Sequence, residues 1–339
     1  MQGVLSHLLA ASSRGVLPGL VWALSSDAAG AARELPAGAP IESMADGWIW
    51  LHFSLAENGA ISLIDHLPGL PRQAAMLLKE RGEIPQIHSE GAFTYGSIGD
   101  LQRVIGAAGE DLGVLHFIMS DKVLITGRRS PLNAAGVTRE RILNGLRITA
   151  VEDLLAVIVE QVVDGVDVHI EKISREVDDL EDRIVSGSIS GARSRLAMHR
   201  RTTIRLRRHI SELRLLFQRI EREGKRAANP AGIARITGEL LQESEALDRD
   251  AAALSDRTRQ LHEEIATLLT EETNKHLRVL SVLSILFLPP TFIAGLFGMN
   301  LRGMLFESHQ LGFWSATALA VVSSAAVLAI LRRAGVLSA

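Results

Sequence analysis

Three periodicities follow one another along the chain. In the first part, apolar residues come in short runs separated by Gly, Pro, Asp and Ser. The runs at 19–24, 48–53, 92–97, 114–120 and 123–126 have the length and punctuation of strands. Ser120-Asp121 lies between the last two and marks a hairpin, while Pro68-Gly69-Leu70-Pro71 is a turn ahead of a short helix over 72–81. This pattern predicts an α/β domain over residues 1–145.

From Thr138 the period lengthens to that of nearly continuous helix. Ile170, Ile173, Val177, Leu180 and Ile184 recur at steps of three and four, with Glu171, Glu176, Asp178, Asp179, Glu181 and Asp182 between them. Ser186-Gly187-Ser188-Ile189-Ser190-Gly191 interrupts. Leu206, Ile210, Leu213, Phe217 and Ile220 then resume the spacing on a helix whose polar side is basic: Arg193, Arg195, Arg200, Arg201, Arg205, Arg207 and Arg208. An acidic and a basic helix joined by a short turn are expected to pair antiparallel, as a helical hairpin over 146–229. The arginines do not read as a nucleic-acid patch, because aromatic residues are nearly absent among them and an acidic partner lies just upstream.

After Asn229-Pro230 the period becomes seven. Ile233, Leu240, Leu247, Leu254, Leu261 and Leu268 form one line, with Ser244, Ala251, Thr258 and Ile265 at the companion position. No breaker occurs before Pro289, so about 58 residues form a rod of roughly 87 Å. The part of that rod ahead of the membrane is a stalk helix over 230–278. It leads into 279–297, and a second run, 313–331, follows; each is uncharged and 19 residues long. At 1.5 Å per residue each nearly matches a hydrocarbon core of about 30 Å.

Two transmembrane helices are therefore expected, joined by an external loop over 298–312 and followed by a tail over 332–339. Their C-terminal position separates them from a signal peptide. Lys275 and Arg278 precede the first span and Arg332 and Arg333 follow the second, whereas the loop holds Arg302 against Glu307. By the positive-inside rule both termini are cytoplasmic in a multi-pass membrane protein. The fold class is α+β, with a cytosolic α/β domain, a helical hairpin, a stalk and two C-terminal membrane helices.

Composition narrows the chemistry. The net charge is −3 and charged residues make up 22% of the chain, so the region before the membrane is an ordinary soluble one. Cysteine is absent, which excludes disulfides, thiolate zinc sites and cysteine nucleophiles. No phosphate-binding glycine loop, zinc-protease helix or nucleophile elbow occurs, so no catalytic residue, cofactor or enzyme activity is expected.

Two membrane helices cannot enclose a water-filled path, so transport requires an oligomer with one helix per subunit lining the axis. The first span continues the stalk and is the better lining. Counting back from Asn300 in helical steps, one face collects Gly298, Gly295, Thr291, Leu288, Ser284, Leu280 with Ser281, Leu277 and Asn274. Such a face suits a gated pore wall. Tight helix packing accounts for the same small residues equally well. Pro289-Pro290 frees the carbonyls of Ile285 and Leu286, which kinks the helix or offers oxygens to a cation.

The segment from Phe287 through Pro289-Pro290-Thr291 to Gly298-Met299-Asn300 resembles the signature of the CorA superfamily of divalent metal-ion transporters, and the layout of the whole chain is similar. The resemblance implies a funnel-shaped homopentamer in the inner membrane. Gly298, Met299 and Asn300 would form the entrance and selectivity site, with the Asn300 side-chain oxygen as the metal contact. The pore positions it implies, Asn274, Leu277, Leu280, Leu288 and Thr291, lie on the face already picked out by spacing. The leucine rings would be gates that close by dewetting.

Within the superfamily, magnesium-type members follow the motif with an acidic, proline-containing loop, whereas this chain has Leu301-Arg302-Gly303-Met304-Leu305-Phe306-Glu307. That loop, Leu311-Gly312-Phe313-Trp314 and the segment Trp50-Leu51-His52-Phe53 are more similar to the ZntB-like zinc branch. Met299 is the magnesium-type residue. Of the histidines only His262, His276 and His309 lie on the stalk, near the membrane or in the loop, and each reads as solvated, as do Glu239 and Glu263 on the stalk. Zn²⁺ is the expected cargo, with Mg²⁺, Co²⁺, Ni²⁺ and Cd²⁺ as further divalent candidates, and the zinc branch implies proton-coupled uptake. The expected partners are membrane lipid, identical subunits, the cation and protons, with no nucleic acid. The alternatives are a Mg²⁺/Co²⁺ channel of the main type and a non-conducting membrane-anchored coiled-coil scaffold or sensor.

Overall fold

The computed structural model describes residues 17–36, 47–79, 85–102, 112–187, 191–224, 232–299 and 311–334. Two compact units result, Met1–Leu261 and His262–Ala339. Among the described residues the first is built on seven strands: β1 (Leu20–Ser26), β2 (Ala32–Glu34), β3 (Ile49–Ser54), β4 (Gln86–Glu90), β5 (Phe93–Leu101), β6 (Leu112–Met119) and β7 (Val123–Arg128). They form one sheet in the order β2-β1-β3-β7-β6-β5-β4, in which only β3 and β7 run parallel. The expected strands are present, and Ser120 donates its backbone N–H to Val123 across the expected hairpin.

Central strand β3 is apolar at nearly every position because both of its faces are covered. Ile49, Leu51 and Phe53 pack with Tyr95, Ile118 and Ile125 against α1 (Asn58–Asp65) and α2 (Arg72–Lys79), through Ala60, Ile64, Ala74 and Leu78. Each such side chain contributes about 1.5–3 kcal/mol by leaving water. The alternate residues Trp50 and His52 occupy the opposite face. Strands β2 and β4 and helix α1 were not apparent from the sequence: the edge strands read Ala-Arg-Glu and Gln-Ile-His-Ser-Glu, which are polar because an edge is half solvated.

The helical stretch is not continuous from Thr138. Helix α3 (Asn133–Leu143) starts earlier, and α4 (Val151–Val185) begins only after a break. Gly145 takes a φ of +106°, which ends α3. Ile148 is then fastened to the sheet side: its N–H donates to Gly30 and its carbonyl accepts the Trp48 indole N–H at 2.6 Å. Those tertiary bonds override the local helical pattern.

Helices α4 and α5 (Ala192–Gly224) bury their expected apolar stripes, including Val177, Leu180, Leu206, Leu213 and Phe217. Part of their charge, however, is matched by α6 (Gly232–Gly298). Arg257 of α6 binds Asp178 and Glu181 of α4, while Asp248 of α6 faces Arg207 and Arg214 of α5 at 3.5 and 3.9 Å. Between α4 and α5 themselves, His199 faces Glu176 at 3.5 Å. Leu240, Ser244, Leu247, Ala251, Leu254, Thr258, Leu261 and Ile265 of the heptad line are buried, and Leu268 is half-buried. The Ile233 side chain lies outside the described residues. The second unit holds the C-terminal part of α6 and α7 (Leu311–Arg333).

Candidate functional site

The candidate conducting surface lies on the C-terminal part of α6. The helix runs without a break through Pro289 and Pro290 to Gly298, so Asn274, Leu277, Leu280, Ser284, Leu288, Thr291, Gly295 and Gly298 share one helix. All of them are exposed. Along the same segment, Ile293 is buried and Val282, Leu286, Pro289, Pro290 and Leu296 are partly shielded. At about 100° per residue those shielded positions form one stripe, and the candidate lining points about 180° away from it. Helix α7 has its own shielded stripe, made of small and aliphatic residues: Ser315, Ser323, Ser324, Val327 and Leu331. The lining face is therefore the side of α6 that its own chain leaves uncovered.

The polar atoms on that face are partly committed. Ser284 Oγ donates to the Leu280 carbonyl at 2.9 Å and Thr291 Oγ1 to the Phe287 carbonyl at 2.7 Å. Each hydroxyl oxygen keeps lone pairs that face outward from the helix. Pro289 and Pro290 supply no N–H to Ile285 and Leu286, which leaves two carbonyl oxygens in the middle of the apolar segment without the usual helical donor. Gly295 and Gly298 have open space where a Cβ would stand. Met299 donates its N–H to Leu296 at 3.3 Å just past the helix end. Asn300, Arg302, Glu307 and His309 lie outside the described residues.

Helices α6 and α7 each contain an 18-residue window apolar enough to cross a membrane, and essentially none of either window is buried. A soluble core helix of that composition would be covered. A family model described as "CorA-like Mg2+ transporter protein" matches residues 45–333. The chain belongs to the CorA family. Its members move divalent cations and are not enzymes. "Zinc transport protein ZntB" of Yersinia enterocolitica is 27% identical over 267 residues, covering 78% of this chain and 80% of that one. The protein of the same description from Enterobacter sp. is 24% identical and covers 88% and 90%.

Among solved structures, full-length CmaX matches with a TM-score of 0.74 at 22% identity, covering 94% of this chain and 98% of that one. The CorA magnesium transporter of Methanocaldococcus jannaschii matches with a TM-score of 0.70 at 19% identity, covering 93% and 98%. The CorA-type fold thus comprises the N-terminal domain, the long helix and the two apolar C-terminal helices.

No group of three or more His, Asp or Glu side chains is placed to hold a metal among the described residues. Acids do gather between α4 and α6. Burial, followed by repulsion from Glu171, Asp250 and Asp164, raises the Asp167 carboxyl, and burial with Asp164, Asp167 and Glu160 raises Glu243. Glu239, Glu263, His262 and His276 join no metal-binding group.

Sequence reading missed the polar centres inside the sheet domain. His52 is fully buried and stacks on Trp22 with ring centroids 3.9 Å apart. Arg128 Nε donates to its Nε2 at 2.9 Å, so Nδ1 carries the proton and donates to Thr126 Oγ1 at 2.7 Å. Burial, aided by Arg128, holds the imidazole neutral. The segment that resembled the zinc branch is thus a structural part of the sheet. Asp100, also buried, accepts the N–H groups of Leu101 and Ala134 at 2.8 Å each and so caps α3 from a distance.

Proposed function

We propose that the protein is a homopentameric, funnel-shaped carrier of Zn²⁺ across the inner membrane, with α6 lining the pore and both termini in the cytoplasm. One observation carries this reading: the polar and narrowly apolar face of α6 is turned directly away from the stripe shielded within its own unit. An inert anchor has no use for such a face. In an oligomer it meets its equivalents around an axis, with α7 on the lipid side. The proposed divisions are a cytosolic domain over 1–145, a hairpin over 146–229, a stalk over 230–278, spans over 279–297 and 313–331, a loop over 298–312 and a tail over 332–339.

In this reading Gly298, Met299 and Asn300 form the entrance, and Asn300 amide oxygens receive the cation. Leu288, Leu280 and Leu277 close the path by dewetting, while Thr291 and Ser284 offer hydroxyl oxygens between them and Asn274 stands at the inner end. Zinc is favoured because the outer loop carries Arg302 and lacks an acidic, proline-containing run. A basic ring repels cations, which weakens outer-shell capture of tightly hydrated Mg²⁺ more than binding of Zn²⁺, an ion that trades water for protein ligands. The names of the ZntB relatives support zinc, with proton coupling as that branch's form of uptake.

The second reading is a Mg²⁺ channel, which the family model's description and Met299 favour. Uptake of Zn²⁺ and of Mg²⁺ into the same proteoliposomes tests the choice. Zinc entry that exceeds magnesium entry, and increases with Arg302→Glu, is expected. Strong Mg²⁺ uptake without a Zn²⁺ signal would sink the zinc reading.

A further inference from the structure

A cleft of about 420 Å³ opens where the ends of β5 and β6 meet α5, and its described lining includes Gly99, Gln102, Arg205, Arg208, His209 and Glu212. We propose that this cleft binds a phosphate-bearing small molecule, a nucleotide in preference to inorganic phosphate, through Arg205 and Arg208. The proposal is independent of the ion path.

Arg205 and Arg208 stand one turn apart on α5 and so present their guanidinium groups on the same side. Arg208 donates Nε to Glu212 Oε1 at 3.0 Å and remains 80% exposed. That contact orients the planar group while its Nη pair has no partner among the described residues, which is the fork that matches two phosphate oxygens.

His209 supplies the second observation. It is buried at 2% exposure, and its Nε2 has no hydrogen-bond partner. The ring stands directly over Gly99, where a Cβ would come within 2.5 Å of Cε1, so the sheet makes room for an imidazole at the cleft wall without offering it a bond. Buried polar nitrogens are normally satisfied, and one left open beside two arginines marks a place for a ligand atom. Burial depresses its pKa to about 4, so near neutral pH the ring is uncharged and presents one donor and one acceptor.

Glu212 decides between phosphate sources. A carboxylate in the lining repels a bare dianion but accepts hydrogen bonds from sugar hydroxyls or an exocyclic amine. The volume points the same way, since clefts of roughly 300–1,000 Å³ hold small organic ligands and inorganic phosphate would leave most of this one empty.

Titration calorimetry of the full-length protein in detergent, with EDTA present, tests the proposal using inorganic phosphate, AMP and ATP as probes. Nucleotide binding in the sub-millimolar range is expected, with phosphate competing at higher concentration. Arg205→Ala combined with Arg208→Ala should weaken binding about tenfold or more while far-UV circular dichroism stays unchanged. His209→Gln should bind more weakly than the parent, and Arg208→Ala alone should give an intermediate loss. Equal affinity for phosphate and nucleotide would overturn the nucleotide preference, since it would leave only the phosphate group recognised. Absence of heat and competition for all three probes to about 10 mM, a concentration at which even a millimolar site would be filled, overturns the proposal. So does unchanged affinity in the double variant.

Discussion

The two compact units handle apolar surface in opposite ways. The first hides Trp48, Trp50, Phe53 and Phe117 almost completely and neutralises its charges within the unit, as Arg257 does with Asp178 and Glu181. The second leaves Leu280, Leu288, Phe292, Phe313 and Trp314 more than 60% exposed. In water so large a bare surface is an aggregation site, whereas in hydrocarbon it costs nothing. The first unit buries its large aromatic side chains within one chain. In the proposed pentamer the second is half of an interface, with lipid and further copies as its remaining partners. Glycines draw the same line: a Cβ on Gly99 or Gly113 would strike His209 or Leu132 within 2.6 Å, but one on Gly295 or Gly298 would meet nothing within 4 Å.

The largest expected effect tests the second unit at its mouth. Asn300→Ala should reduce cation uptake at least about tenfold, the loss of one charge-assisted contact per subunit, with native mass spectrometry still reporting five copies. Parent-like uptake by this variant would remove Asn300 from the entrance. Paired glycine substitutions then set the two units against each other. Gly99→Ala should cost about 1–3 kcal/mol of folding stability, because a methyl group must displace a buried imidazole. Gly295→Ala should leave folding unharmed, since alanine favours helix by about 1 kcal/mol, yet lower assembly or uptake if neighbouring copies approach there. Equal thermal denaturation for both variants would erase the distinction. Smaller again is Leu288→Ser, expected to raise basal cation leak several-fold by wetting a hydrophobic constriction, whereas Phe292→Ser, off the lining face, should not. Dye-reported flux without a gradient of the competing ion separates them.

The second unit was far more legible in sequence than the first. An uncharged run of 19 residues has one strong physical meaning, and helical spacing transfers directly to a face once the helix is known to be unbroken. The heptad line was equally readable as buried, though its partners were not: α4 and α5 of the same chain cover α6, and of the charges that suggested the α4–α5 pairing Glu176 does face His199 of α5, while Asp178, Glu181 and Arg207 are matched to Arg257 and Asp248 of α6. In the sheet domain, β3 and β7 announced themselves by apolar content, but β2 and β4 did not, because edge strands resemble loops in composition. The break after α3 depends on Ile148 reaching Gly30 and Trp48, contacts far apart in sequence. His209 over Gly99 and Asp100 capping α3 were invisible for the same reason. The proposed entrance, legible as a motif, rests on Asn300, outside the described residues.

The smallest expected effect concerns acidity in the first unit, where groups have been sealed from water. His116 and His209 have pKa values of about 4, lowered by burial with Arg129 adding to the effect at His116, and His52 is lowered well below its ordinary value. Above pH 6.5 these rings are neutral whether the chain is folded or not, so their contribution is intact. As pH falls from 6.5 towards 4, the unfolded chain gains protons that the folded one refuses, and stability declines. Asp100 acts with the opposite sign. Burial raises it to about 7 despite the backbone N–H groups that favour its charged form. Its contribution is full below the ordinary carboxylate pKa and is lost as pH rises through 7, so acidification partly restores it. Three strongly lowered histidines outweigh Asp100, which Asp167 and Glu243 reinforce only from partly exposed positions, and leave a net decline between pH 6.5 and 4, on the order of 5 °C in Tm. Tryptophan fluorescence reads it in a Trp314→Phe background, which confines the signal to Trp22, Trp48 and Trp50 of the sheet domain. His116→Gln should flatten the decline and Asp100→Asn should steepen it. A melting temperature that rises over that interval would mean the buried histidines are not held neutral.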